Sequence, residues 1–377
     1  MNASLLPSQL AWLVPAAALA IGTAFGAIGQ ATRFCTMGAL TDLFTFGDAT
    51  RLRMWLAAIL VALFATQIAS ATGYIDLSNS VYTGTHVLWV SSIVGGYLFG
   101  FGMVLASGCA SKCLIRAGSG NVKAVIVLLV MGIFALMTLR GVLAEVRVAL
   151  FDRWAVELSG TQDLPSLLAR LTAQSTTAMR LITAGALGAV IAAYLIVDRS
   201  FALSTSMLGG LAIGALVFLG WIVTARLGFM PEHPDSLEPA WIATNSRRPE
   251  SLSFVTPVAY GINLMTLWSD RNTTVTFGIA AVCGVVLGAT LSALWRKEFR
   301  WEGFANVEDT ANHLAGAALM GFGGVAALGC TIGQGITGLS TIAIGSFLAV
   351  AGIVTGTWSG LRYQSWRIDS IVARSAA

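Results

Sequence analysis

The sequence predicts an all-α polytopic membrane protein, with about nine transmembrane helices plus re-entrant half-helices in an inverted repeat. Three observations carry that prediction. First, only 11% of the 377 residues are charged and 56% are hydrophobic, where a soluble domain carries about a quarter charged. The mean hydropathy is +0.78. Second, the apolar runs are long and continuous, which excludes the short alternating segments of a β-barrel. Third, two glycine-rich stretches match. Gly95 to Cys109 and Gly316 to Cys330 agree at Gly95/Gly316, Gly100/Gly321, Phe101/Phe322, Gly102/Gly323, Val104/Val325, Gly108/Gly329 and Cys109/Cys330. Each ends in Gly-Cys and then turns polar.

A crossing needs roughly 20 apolar residues. On that ruler the spans fall at 10–30, 53–74, 87–107, 122–140, 180–197, 207–226, 274–295, 311–329 and 341–361. No Lys or Arg precedes Leu10, so the first run reads as a retained helix rather than a secretory signal. Four apolar pieces, 36–46, 110–119, 252–268 and 331–339, are too short to cross. Irregular backbone at membrane depth is tolerated only where protein buries it or it lines a cavity, so these pieces point to a central site.

Arg51, Arg53, Lys112, Arg116, Lys123, Arg199, Arg296, Lys297, Arg300, Arg362 and Arg367 fall in alternate connections. With nine spans they share one side if the N-terminus is outside and the C-terminus cytoplasmic. The long connections 141–179 and 227–272 also carry arginines, but the rule discounts long loops. Five spans separate the Gly-Cys copies, and five separate Leu19-Ala-Ile-Gly22 from Leu211-Ala-Ile-Gly214. An odd separation makes the copies enter from opposite sides, with a binding site near the midplane. The single membrane domain then divides into a first half (10–140), a linker helix and connecting span (141–206), and an inverted second half (207–361).

The segment 141–179 alternates charge with Val, Leu and Phe and reads as an interfacial or extramembrane helical linker. His233, with Glu232, Asp235 and Glu238, reads as a solvated loop rather than a metal site. His86 and His313 read as interfacial. No basic run alternates with aromatics, which argues against nucleic acid. No phosphate-binding glycine loop indicates ATP.

The five cysteines, Cys35, Cys109, Cys113, Cys283 and Cys330, form neither a disulfide framework nor a zinc pattern. Cys283 reads as a small buried hydrophobe. Cys109 and Cys330 each stand where a span breaks and a half-helix restarts. A helix start exposes unpaired N–H groups and a partial positive charge, which suits an anion, and a thiol adds a soft, weak hydrogen-bond donor. Cys35 stands at a third break. Its counterpart is expected around Thr224–Met230, which has no cysteine. Arg33 beside it either attracts anions or marks the membrane face. Cys113 matches Gln334 in the second copy, and Cys109/Cys113 offer a redox pair. The candidate binding set is Cys35, Cys109 and Cys330 with Gly108, Ala110, Ser111, Gly329, Thr331, Ile332 and Gly333. No metal or cofactor is expected.

The stretches Ile28-Gly-Gln-Ala-Thr-Arg-Phe-Cys35-Thr-Met-Gly38, Gly100 to Cys109, and Gly321 to Gly335 together resemble the YeeE/YedE family of bacterial inner-membrane sulfur transporters. The resemblance runs from about residue 12 to 362. It implies thiosulfate uptake through an hourglass of nine spans and re-entrant half-helices. It also implies a central row of three cysteines that pass thiosulfate along by thiol–sulfur hydrogen bonds, matching Cys35, Cys109 and Cys330. A small cytoplasmic sulfur-carrier protein is an implied partner. Some relatives are tied to selenium or other sulfur compounds. Cys113 and the segment 141–179 fall outside the family pattern. A membrane thiol oxidoreductase using Cys109/Cys113 and a soft-metal channel are the rival readings.

Overall fold

The computed structural model describes residues 6–375 except 203, 235, 236, 271 and 272. Asp235 of the expected polar loop therefore lies outside the described residues. The helices, in order, are α1 (Pro7–Thr32), α2 (Thr36–Thr41), α3 (Thr50–Ala71), α4 (Trp89–Leu105), α5 (Ala110–Gly118), α6 (Val122–Arg140), α7 (Val142–Arg147), α8 (Leu164–Thr172), α9 (Thr176–Ile196), α10 (Arg199–Ala202), α11 (Thr205–Ile222), α12 (Val255–Thr266), α13 (Phe277–Trp295), α14 (Val307–Ala326) and α15 (Ile344–Ser375).

Among the described residues eight helical segments are long and apolar enough to cross a membrane. The expected ninth, α14, has the length for it at 20 residues, but its first turn carries Glu308 and Asp309. Those carboxylates are engaged: Lys123 Nζ lies 2.9 Å from Asp309 and Arg367 lies 2.9 Å from Glu308.

The four short apolar pieces are the half-length segments. The piece after Cys35 is α2 followed by a π-helical turn, Asp42–Phe46; the one after Cys109 is α5; the third is α12; and the piece after Cys330 is a π-helical turn, Gly333–Gly338. The expected counterpart of Cys35 at Thr224–Met230 needs correction. That stretch is the π-helical tail of α11 (Val223–Leu227) and a two-residue strand. The half-helix of the second half is α12, and Phe254 holds its N-cap position.

Helix packing comes in reciprocal pairs. The close neighbours are α1 with α13 and α11 with α3; α4 with α15 and α14 with α6; α5 with α13 and the Gly333–Gly338 turn with α3. Helices α4 and α14 also pack on each other, and here the two matched glycine stretches meet. A Cβ on Gly316 would stand 2.5 Å from the Gly102 carbonyl oxygen, and one on Gly102 would stand 2.7 Å from that of Gly316. A Cβ on Gly323 would stand 2.5 Å from Gly95 O, and one on Gly95 2.6 Å from Ala327 N. Without a hydrophobic driving force between helices in lipid, such close backbone approach supplies the contact energy. Gly22 of α1 likewise sits on the backbone of Ala281 in α13, and Gly214 of α11 on that of Ala58 in α3.

The linker is a chain of small elements. It comprises α7, a π-helical turn at Val148–Asp152, a strand at Val156–Glu157 that pairs with His86–Val87, and α8. Asp163 anchors it. This residue is 1% exposed, accepts from Ser166 N and Oγ at the start of α8, and lies 3.6 Å from Arg180 of α9. His313 is buried, with Nδ1 2.7 Å from the Asp309 carbonyl oxygen and its ring edge-on to Phe304. Cys283 is exposed on α13, against the expectation that it would be buried. On a spanning helix with little polar surface, that exposed face is the one that meets lipid.

Candidate functional site

Helices α4 and α14 end in the same way. The N–H of Ala106 bonds to Gly102 O and that of Ala327 to Gly323 O. The next residues, Ser107 (φ 55°) and Leu328 (φ 56°), are left-handed. Gly108 N then donates to Met103 O at 2.9 Å and Gly329 N to Gly324 O at 2.8 Å. This is the αL stop that returns terminal carbonyls to hydrogen bonding, carried here by non-glycine residues that rarely adopt it. The chain leaves each stop pointing into the protein. Cys109 and Cys330 follow it at once, both fully buried.

Cys109 is the N-cap residue of α5, with Ser111 Oγ 3.3 Å from its sulfur. Cys35 caps α2, and its sulfur accepts from Gly38 N at 3.2 Å. Cys330 does the same with Gly333 N at 3.4 Å. Serine and aspartate oxygens perform this job at ordinary helix starts. The Cys330 sulfur also faces the backbone N–H groups of Ile332 and Phe254. The Cys35 thiol and the Thr331 hydroxyl are both neighbours of the Cys109 sulfur. The structure thus brings all three predicted cysteines into one buried cluster, where half-length helical starts from both ends of the chain converge. Ala110, Ser111, Thr331, Ile332 and the two glycines Gly108 and Gly329 are buried around it. Gly333 lies against Ser253 Oγ and Tyr82 OH.

Cys113 and Gln334 match in sequence and do the same work. Cys113 Sγ lies 3.7 Å from Gly108 O, and Gln334 Nε2 donates to Ala327 O at 2.5 Å. Each side chain satisfies a carbonyl at the break beside it. Cys113 therefore points at backbone, whereas the Cys109 sulfur has Cys35, Ser111 and Thr331 for neighbours.

A cavity approaches the cluster from each face. On the arginine-rich face, a cavity of about 520 Å³ is lined by Arg33, Arg51, Lys112, Arg116 and Arg300, with Glu298 the one carboxylate and Cys35 among its walls. Arg51 is paired with Asp42 at 3.3 Å and Arg116 with Glu302 at 3.8 Å. On the opposite face, a cavity of about 150 Å³ is lined by Tyr82, Arg147, Ser246, Glu250, Ser253 and Tyr260 among others. Arg147 is engaged with Asp152 at 3.2 Å. Glu250 accepts from Ser246 Oγ at 2.8 Å. Burial pushes its carboxyl up to about 7, against the opposing pull of hydrogen bonds from Ser246 and Asn245.

Sequence reasoning missed Thr36 and Glu250. A signal for the first was present. Cys35-Thr-Met-Gly38 and Cys330-Thr-Ile-Gly333 are two copies of Cys-Thr-x-Gly, and both fold into a sulfur-capped helix start.

The comparisons with known proteins agree with this architecture. A family model described as "Sulphur transport" matches residues 31–359. The chain is 26% identical over 351 residues to a protein of Spirochaeta thermophila named thiosulfate transporter TsuA, covering 90% of this chain and 96% of the relative. It is 23% identical over 368 residues to the Escherichia coli protein of the same name, covering 93% of each. A probable transporter named YedE from Salmonella typhimurium is 29% identical over 107 residues, 28% of this chain and 24% of the relative.

Proposed function

The chain belongs to the sulphur transport family, and from that premise we propose that it takes up thiosulfate, or a closely similar sulfur oxyanion, through a cysteine-lined central path. The anion enters at the cavity of Tyr82, Glu250 and Ser253, meets Cys330, passes to Cys109 and then Cys35, and leaves through the basic cavity. One observation carries the reading: Cys35, Cys109 and Cys330 are buried together in one cluster, with the Cys35 thiol and the Thr331 hydroxyl, next to Cys330 in sequence, as neighbours of the Cys109 sulfur. A soft terminal sulfur then has thiols in succession along the buried cluster to which it can be handed. Weak donors in series bind well enough to admit an anion and loosely enough to release it. Charge is met by the converging helix starts.

The reciprocal packing of α1 with α13 and α11 with α3, and of α4 with α15 and α14 with α6, supports an inverted repeat of 10–140 and 207–361 joined by 141–206. The arginine-rich face is cytoplasmic by the positive-inside rule, with the N-terminus outside, in the bacterial inner membrane. The reading is of a transport protein and not an enzyme, since the Cys113 thiol points at Gly108 O rather than toward a partner for oxidation. A small cytoplasmic sulfur-carrier protein is the proposed acceptor at the basic cavity. The test is uptake of labelled thiosulfate into proteoliposomes, with sulfate and selenite as competitors. Wild type takes up thiosulfate, and Cys109→Ala, inserted in equal amount, does not. A wild-type protein that accumulates no thiosulfate, or a Cys109→Ala variant that transports normally, refutes the reading.

A further inference from the structure

The entrance of the proposed path holds a carboxyl that no cation neutralises. Glu250 lies in the connection between α11 and α12. It lines the cavity of about 150 Å³ with Tyr82, Arg147, Ser253 and Tyr260. Its carboxylate accepts from Ser246 Oγ at 2.8 Å, and the Thr224 hydroxyl holds its backbone. Among the described residues it makes no ion pair.

The charged and titratable groups of the neighbouring elements leave it so. Arg147 of α7, which shares the cavity wall, is engaged with Asp152 at 3.2 Å. Arg140 of α6 lies over the Tyr260 ring of α12, and Arg226 in the tail of α11 lies over the Tyr74 ring. Arg247 and Arg248, in the same connection as Glu250, are exposed. Tyr82 is 5% exposed and has both Glu250 and Cys330 among its electrostatic neighbours.

The same cavity leads toward the first thiol. A Cβ on Gly333 would stand 2.6 Å from Ser253 Oγ and 3.4 Å from Tyr82 OH. Both hydroxyls therefore stand at the turn whose Gly333 N–H donates to the Cys330 sulfur, and both can donate to an anion. Burial already favours the neutral form of Glu250, up to about 7. An anion in the same small space acts in the same direction, because a like charge disfavours ionisation. Carboxylate and anion compete for one cavity, and a proton resolves the competition.

We propose that Glu250 is the proton-binding residue of the entry cavity: it takes one proton from solution as the sulfur oxyanion enters, and its charged form keeps the anion out. This rests on the thiosulfate reading and adds to it a coupling between anion and proton. The step forms one O–H bond on the carboxylate and needs no other reactant. The neutral carboxyl then offers the anion a hydrogen bond, beside Tyr82 and Ser253, in place of a repelling charge. By linkage, proton and anion each raise the affinity for the other.

The test is the KM for thiosulfate uptake into proteoliposomes held at equal pH on both sides. Thiosulfate stays a dianion across the range used. Wild-type KM should rise roughly tenfold from pH 6 to pH 8, as expected when one proton leaves a group near 7. Glu250→Gln, neutral at every pH, should keep one KM across the range, and Glu250→Asp should keep the dependence. Calorimetric titration of the wild type with thiosulfate at pH 8, in buffers of different ionisation enthalpy, should register about one proton taken up per anion bound. Glu250→Gln should take up none. A structural role would instead move the melting temperature and leave the KM profile of Glu250→Gln parallel to that of the wild type. A wild-type KM that is flat with pH, or proton uptake that persists in Glu250→Gln, overturns the proposal. Wild-type protein that takes up no thiosulfate at any pH overturns the transport reading instead, so the two failures are distinct.

Discussion

Gly316→Ala tests whether the crossing of α4 and α14 sets the position of the thiols. The added Cβ would stand 2.5 Å from Gly102 O and 2.6 Å from Ala106 N, both backbone atoms. Real Cβ contacts are essentially never below 3.0 Å, so the two helices must part by at least about half an ångström at this point. Overpacking of this kind costs typically about 1–3 kcal/mol. The clash falls at Ala106, beside the αL stop at Ser107, so the shift reaches Cys109 directly. A misplacement of about 1 Å costs on the order of 100-fold where rate depends on alignment. We expect detergent-solubilised Gly316→Ala to melt lower and thiosulfate uptake per inserted molecule to fall at least tenfold. Gly185→Ala is the control: it lies in α9 with nothing within 4 Å of a Cβ, and helix propensity predicts a gain of about 0.5–1 kcal/mol. Wild-type melting and uptake by Gly316→Ala would refute the reasoning.

Three further outcomes follow from the same geometry. Cys283→Ala, on an exposed face of α13, should change uptake by less than twofold, and a severe loss in proteoliposomes would contradict its placement. Asp163→Ala removes the cap of α8 and the carboxylate partner of Arg180, which keeps only Ser70 Oγ, so unfolding should cost roughly 1–3 kcal/mol less, measured by denaturant titration; unchanged stability would refute the anchoring role. Glu250 keeps its proton up to about 7 in the fold against an ordinary 4.5. Between those values the folded state binds more protons than the unfolded one, so stability falls as pH rises. At 2.5 units the upper bound is about 3 kcal/mol, less for a carboxyl that is only partly buried. Glu250→Gln should therefore flatten the dependence of melting temperature between pH 5 and 8, and an unaltered slope would count against the assignment.

Much of this fold was legible because the bilayer imposes length and hydropathy on any helix that crosses it. The half-helices were legible for the complementary reason: 36–46, 110–119, 252–268 and 331–339 were too apolar for a loop and too short to span. What escaped was set by contact rather than composition. The counterpart of α2 was sought at Thr224–Met230, whereas the short helix of that region is α12, whose N-cap position is held by Phe254 and not by a cysteine. Cys283 looked buried because nothing in the sequence tells a lipid-facing side from a packed one when both are apolar. Glu250 was missed because the want of a countercharge is a property of the space around a carboxyl. The cysteine cluster itself was readable from Gly-Cys repetition, but its closeness to Thr331 required the crossing of α4 and α14.

The exchange of Cys35 for Phe254 makes the two approaches to Cys109 unequal, and the cavities differ in charge as well. Such inequality cannot by itself drive flow. Along a fixed route every step obeys detailed balance, so a thiol on one side and an aromatic ring on the other change dwell times, not the final ratio of concentrations. Accumulation against a gradient then has to come from removal of the anion on the arginine-rich side, or from a second species that moves with it. On the proposed route, the five cations that line the basic cavity would hold the anion where a consuming reaction can reach it. They turn chemistry in the adjoining compartment into the force that empties the path.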